Sequence, residues 1–235
     1  MFDNMLVGTH PIVIRYLKGV FNLRPSKPMN SAIWDVSDVL QYLRKLSPVY
    51  TLSLKQLSFK LVMLIALTNA TRSQTIHLLD LEDMQKLKSE YVFTIVNHLK
   101  QSRPGYRNPQ VTLKAYPPDR RLCVYTVLKE YLKRTETFHL KYTKLILSFI
   151  KPHKPVSCTT ISRWIKTVMC NSGIDVNQYS AHSVRSASTS KAKVNSVPIK
   201  DILCKGGWTN VGTFAKFYDR DVKKSVDFAV KVLKN

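Results

Sequence analysis

A helix that is apolar nearly all round its circumference fits only the middle of a globular domain, and residues 54–67, LKQLSFKLVMLIAL, read as such a helix. Leu54, Leu57, Leu61, Leu64, Ile65 and Leu67 recur at helical spacing, and further apolar residues fill the turns between them. The other elements therefore have to pack around it. Ser53 stands where an N-cap belongs. Its longest apolar run, LVMLIAL at 61–67, falls far short of the roughly 20 residues that a bilayer takes.

The flanking sequence supplies partners for that helix. From Trp34, the residues Val36, Val39, Leu40, Leu43 and Leu46 form one apolar helical stripe, which Pro48 ends. A short helix is predicted over Gln74–Leu79. Tyr91–His98 and Val111–Tyr116 are β-rich runs joined through Pro104-Gly105, a turn signal, and so predict a β-hairpin. Helices follow from Pro117-Pro118-Asp119, over Ser157–Asn171 with Trp164 in the core, after Ser180, over Ile199–Cys204 and up to Tyr218. Lys144–Ile150 reads as a short strand or buried connection, and Asp221–Asn235 as an amphipathic helix. The expected fold is mainly α with a small antiparallel β-sheet, an α+β domain over 31–235. Ahead of it, 1–21 is a helical piece too short to own a core, and 22–30, NLRPSKPMN, is an extended linker.

Lys and Arg number 37 against 15 Asp and Glu, a net charge of +22. That balance points to a polyanionic partner, double-stranded DNA first. A membrane surface would call for a basic amphipathic anchor, a lipidation signal or an apolar leader, and the sequence shows none, so an intracellular protein with no membrane partner is expected. Two stretches lack acidic residues altogether. Tyr91–Pro118 carries Lys100, Arg103, Arg107 and Lys114, and 138–173 carries Lys141, Lys144, Lys151, Lys154, Arg163 and Lys166. These are the predicted DNA faces. Cys123, Cys158, Cys170 and Cys204 form no CxxC pair, which predicts reduced, mostly buried thiols and no metal site.

Residues 181–220, AHSVRSASTSKAKVNSVPIKDILCKGGWTNVGTFAKFYDR, gather side chains suited to attack on a phosphate ester. His182 and Arg185 lie three apart and share one helical face. Arg offers a rigid fork of donors to phosphate oxygens, His can shuttle a proton, Trp208 adds an N–H donor and Tyr218 a phenol able to form a covalent intermediate. Singly, each suits a solvated face or an ordinary aromatic. Their joint order is what distinguishes them. Ser186, Ser188, Thr189 and Ser190 add small hydroxyls that would let phosphates come close.

His-x-x-Arg, then Trp, then Tyr within FAKFY resembles the tyrosine recombinase (phage integrase) family, in wording most like recombinases of eukaryotic mobile elements. The resemblance adds two positions: Arg72, in the turn after the central helix, and Lys100 in the hairpin. It departs at Thr75, where family members commonly carry an acid, so that the orienting carboxylate is either absent or supplied from elsewhere, by Asp80 or Glu82. It departs again in the Trp208–Tyr218 interval of ten, one longer than in many bacterial members. The implied activity is site-specific recombination or integration of a mobile element, without cofactor or metal. Tyr218 would attack a DNA phosphate to give a 3′-phosphotyrosine, Arg72, Arg185, His182 and Trp208 would cage it, and Lys100 would protonate the departing 5′-oxygen. The resemblance also implies a nearly absent helical core-binding domain ahead of the linker, dimers to tetramers on DNA through the C-terminal helix, and a nuclear location in a eukaryote. A type IB topoisomerase would use the same residues, and a catalytically inactive DNA-binding domain derived from a recombinase would share the charge and fold.

Overall fold

The computed structural model describes residues 6–24, 32–97, 110–208 and 211–222. The chain divides into two units, Met1–Ser31 and Ala32–Asn235. In the first, helix α1 (Pro11–Leu23) opens with a proline that needs no N–H partner there, and the Nδ1 of His10 accepts the Ile12 N–H at 3.3 Å.

The second unit runs β1 (Ala32–Ile33), α2 (Val36–Lys45), α3 (Leu54–Asn69), α4 (Ser73–His77), β2 (Met84–Lys86), β3 (Glu90–Phe93), β4 (Val111–Lys114), α5 (Val124–His139), α6 (Cys158–Asn171), α7 (Ser183–Val194), α8 (Ile199–Gly206), α9 (Val211–Phe217) and β5 (Asp221–Val222). It is mostly helical. Strands β2, β3 and β4 form an antiparallel sheet, with Tyr91 opposite Leu113 and Phe93 opposite Val111, while β1 and β5 pair in parallel. Alternate residues of β3 and β4 point into the core, so Tyr91, Phe93, Val111 and Leu113 are buried.

Helix α3 is the axis of this unit, packing against α5, α6 and α7. A reciprocal cap starts it: Ser53 Oγ accepts the Gln56 N–H at 3.3 Å, and Gln56 Oε1 accepts the Ser53 N–H at 3.0 Å. Every residue from Leu57 to Leu67 is buried. One of them is Lys60, which periodicity alone gives no reason to place there. Its Nζ donates to the carbonyls of Leu43 at 2.9 Å and Leu46 at 2.5 Å and to Ser47 Oγ at 3.3 Å, capping α2 with a cation. Burial holds its pKa down to about 8.

Several boundaries differ from the sequence expectations. Pro117-Pro118-Asp119 leads into a short 3-10 turn, Arg120–Leu122, and α5 begins only at Val124. Asp119 stays outside the helix because its carboxylate accepts from Arg44 at 2.8 Å and from the Arg121 N–H at 3.1 Å. Lys144–Ile150 is a buried connection, with Leu145, Ile146 and Leu147 in the core and the Leu147 N–H donating to Tyr131 Oη at 2.9 Å. The thiols are not mostly buried, for Cys170 and Cys204 are exposed. Asp221 and Val222 are strand, not helix, because β1 offers them a ladder; the rest of the expected C-terminal helix lies outside the described residues. So do Lys100, Arg103 and Arg107.

Where α3 stops matters for everything after it. Ala70 turns left-handed at φ +47°, the conformation that glycine most easily supplies at a helix C-terminus, and the chain leaves toward Arg72. Ala70→Gly is therefore expected to keep stability within about 0.5 kcal/mol, whereas Ala70→Val, branched at Cβ, loses about 2 kcal/mol in denaturant unfolding.

Candidate functional site

The site is assembled from the end of α3, the start of α7, the end of α8 and the residues after α9. Helix α7 begins at Ser183, with His182 as its N-cap residue and exposed. Arg185 lies inside the first turn and is almost wholly buried. Its guanidinium is held from two sides: Nη1 donates to the Ala70 carbonyl at 2.7 Å and Nη2 to the Gly206 carbonyl. The left-handed turn at Ala70 aims one of these carbonyls, and the end of α8, closed by Gly207 at φ +65°, supplies the other. A helix end leaves carbonyls without intrahelical partners, and here a cation takes one.

Two aromatic rings lie over this cation, and a third backs one of them. The Arg185 Cζ lies 3.8 Å from the Trp208 ring centre and 5.3 Å from that of Tyr218, and the two rings are 4.5 Å apart. Phe214 of α9 backs Trp208 at 5.3 Å and is buried. Tyr218 Oη lies 3.2 Å from His182 Nε2. The phenol thus stands between an imidazole and a guanidinium. Burial first, and then the like charge of Arg72, push Arg185 down to about 9, while Tyr218 works in the other direction. Arg72, half-buried, occupies the N-cap position of α4. Arg185 Nε and Trp208 Nε1 are both buried with no hydrogen-bond partner. Buried donors left open are rare and costly, and two of them lie at this one cation.

His182, Arg185, Trp208 and Tyr218 thus come together, and Arg72 is close enough to act on Arg185 electrostatically. The hydroxyls of α7 do something other than what was expected of them. Ser188 donates to the Leu67 carbonyl, Thr189 to the Arg185 carbonyl at 2.9 Å and Ser190 to the Tyr218 carbonyl at 3.2 Å, so they bind protein and do not stand open to phosphate. Nor does Asp80 orient an arginine, because its oxygens take Thr143 Oγ1 and Lys144 Nζ, each at 3.1 Å. Thr75 is buried, and Glu82 follows Asp80, to whose carboxylate its N–H donates at 3.2 Å.

Of the other predicted DNA-face cations, Lys144 is committed to Asp80, and Lys141 lies 5.7 Å from the Tyr142 ring centre. Lys151, Lys154 and Arg163 line one open groove of about 680 Å³, together with Lys55, over Phe59, Phe149 and Trp164. Lys166 is exposed further along α6. Residues that sequence reasoning missed are the two carbonyls that hold Arg185. Gly206-Gly207 was their only signal, as a helix stop.

No protein-family model matches the sequence, and no curated protein does. Solved structures do: the fold is that of tyrosine recombinase catalytic domains. Among them are the XerH site-specific recombinase bound to its difH substrate in a pre-cleavage complex, at 14% identity and a TM-score of 0.59 over 86% of this chain and 58% of that one. XerA recombinase matches at 17% and 0.58 over 91% of this chain and 66% of that one. A lambda integrase dimer bound to a COC′ core site matches at 16% and 0.55 over 92% and 72%. The chain thus spans little more than half of XerH. Among the described residues no helix is long and apolar enough to cross a membrane, and no cluster of His, Cys, Asp and Glu could hold a metal ion.

The packing of Trp208 gives a test that needs no activity. A Cβ on Gly206 would fall 1.8 Å from the indole Cζ3, so glycine is what lets the ring lie on the end of α8. Gly206→Ala should cost about 1–3 kcal/mol in urea unfolding, and most of that cost should vanish in a Trp208→Ala background.

Proposed function

We propose that this chain breaks and rejoins DNA through a 3′-phosphotyrosine, as a site-specific recombinase. The observation that carries the reading is the Tyr218 phenol, 3.2 Å from His182 and packed against a buried arginine whose Nε–H has no partner. A phenol in that position is a nucleophile with a proton acceptor on one side and fixed positive charge on the other.

In the proposed reaction the Tyr218 oxygen attacks the scissile phosphorus and its proton leaves by way of His182. The P–O5′ bond breaks, and the phosphate stays esterified to the tyrosine through its 3′ side. Arg185 and Arg72 neutralise the non-bridging oxygens as charge develops, and Trp208 donates to one of them. Lys100, which the family pattern places in the hairpin, protonates the departing 5′-oxygen. A 5′-hydroxyl from a partner strand then attacks the phosphotyrosine and restores the backbone. Bond energy is conserved in the ester, so resealing needs no further input.

DNA is the partner that the charge of +22 favours, with Lys141, Lys144, Lys151, Lys154, Arg163 and Lys166, and Arg103 and Arg107 of the hairpin, as its proposed contacts. Lys144 reaches DNA only by sharing its charge with Asp80. Assembly into dimers or tetramers through the C-terminal residues is proposed by analogy with the lambda integrase dimer and the lambda integrase tetramer bound to a Holliday junction. The resemblance to eukaryotic mobile-element recombinases supports integration of such an element, in a nucleus, as the biological setting.

Incubation with a random-sequence pool of nicked duplexes, followed by denaturing electrophoresis, should trap a covalent protein–DNA species. Tyr218→Phe should abolish it, and Arg185→Ala should slow it by about 100-fold to 1000-fold. A chain that binds the pool but leaves no covalent species is a DNA-binding domain and not a recombinase. Duplex affinity should also fall steeply with salt, and Lys151→Gln, Lys154→Gln and Arg163→Gln combined should flatten the log–log salt slope by about 3.

A further inference from the structure

Ser190 lies on α7 five residues beyond Arg185 and is 2% exposed. Its single oxygen makes two bonds to one short segment: it donates to the Tyr218 carbonyl at 3.2 Å and accepts the Arg220 N–H at 3.2 Å. Both are main-chain groups flanking residue 219. Whatever the phenol does, the backbone that carries it is pinned at this point. Lys193, three residues on, pairs with the Asp219 carboxylate at 2.5 Å and holds the same segment by its side chain.

The segment needs such a hold. Helix α9 spans only seven residues, too few to be stable alone. It stops because the N–H groups of both Tyr218 and Asp219 converge on the Phe214 carbonyl, at 2.8 and 3.0 Å. Past that stop, Tyr218 has no helix to fix it. Helix α7, by contrast, is tied down at both ends: Ser183 Oγ accepts the Trp34 indole Nε1–H at 2.8 Å, and Lys191 pairs with Asp35 at 3.5 Å. It also carries Arg185. A hydroxyl on this helix therefore references the nucleophile to the same rigid body that holds the cation.

Resting on the reading of Tyr218 as the nucleophile, we propose that Ser190 is a positioning residue for the reaction: its two-way hydrogen bond sets the distance between the phenol oxygen and the Arg185 guanidinium. The task needs a donor and an acceptor on one atom at the end of a short side chain. Serine supplies that, threonine can, and alanine cannot. Displacing a nucleophile by about 1 Å can cost on the order of 100-fold in rate, whereas losing an ordinary buried hydrogen bond mainly lowers stability.

Ser188 gives the matched control, since it is another α7 hydroxyl bonded to a carbonyl, that of Leu67, away from the tyrosine segment. Single-turnover formation of the covalent complex at saturating nicked duplex should slow about 10-fold to 100-fold in Ser190→Ala, with duplex affinity within about twofold of the parent. Ser188→Ala should stay within about twofold in rate, and Ser190→Thr should recover most of it. Independently of activity, the Arg220 amide should exchange with solvent at least about tenfold faster in Ser190→Ala and at the parent rate in Ser188→Ala. A Ser190→Ala chain that cleaves at the parent rate overturns the proposal, as does a Ser188→Ala chain that is equally slow. If the parent chain itself forms no phosphotyrosine, the recombinase reading fails, and an unchanged Arg220 exchange rate would show that Ser190 holds nothing.

Discussion

The structure depends on how Arg185 is buried. A guanidinium taken out of water costs several kcal/mol unless it is hydrogen-bonded, and here two backbone carbonyls, of Ala70 and Gly206, take one N–H from each of its terminal nitrogens. Neither carbonyl belongs to α7. One ends the central helix and the other ends α8, so the arginine, 115 residues beyond Ala70, joins α3 to two consecutive helices, α7 and α8. The left-handed turn at Ala70, the glycine pair after Cys204 and the stacking of Trp208 are consequences of fitting those elements to one planar cation. Because the guanidinium is planar and its fork is rigid, meeting two carbonyls also fixes which way its Nε faces.

That arrangement is not the most stable the residues could reach. A second cation, Arg72, raises the energy of the first, and two N–H donors next to it are buried without acceptors. A core designed only to last would fill such a site with apolar side chains. A like charge beside a buried cation and open donors around it are thus the unfavourable terms of this fold. The groove holding Lys151, Lys154 and Arg163 is the contrasting case, where the cations are spread along an open channel and none is buried.

Much of this was legible in the amino-acid order, and the reasons divide cleanly. The central helix could be read because burial on every side leaves an unmistakable run of apolar residues. His182, Arg185, Trp208 and Tyr218 could be read because their chemistry resides in side chains. The two carbonyls could not, since every residue has one and only the folded backbone decides where it points. Lys60 was illegible for a related reason: a lysine inside an apolar helix looks like solvent exposure until the open carbonyls at the end of α2 are seen beside it. The hydroxyls of α7 are legible as small and polar, but their partners are not, because sequence does not say whether a serine faces a ligand or another helix. Asp221 and Val222 looked helical by period, and a neighbouring strand prevailed over that weak local preference.

The hydroxyls also explain why α7 can be so central while having little apolar surface of its own. Six of its twelve residues are buried, and among them only Val184 and Ala187 are apolar. A helix of that composition cannot be held by burial alone, since small side chains remove little area from water. It is held by specific bonds instead: to Trp34, to the tyrosine segment and, through Lys191, to Asp35. Directional bonds tolerate less sliding than apolar contacts do, because a shift of 1 Å breaks a hydrogen bond but barely changes buried area. A helix that has to keep a guanidinium and a phenol in register is better fixed by such bonds than by a larger core.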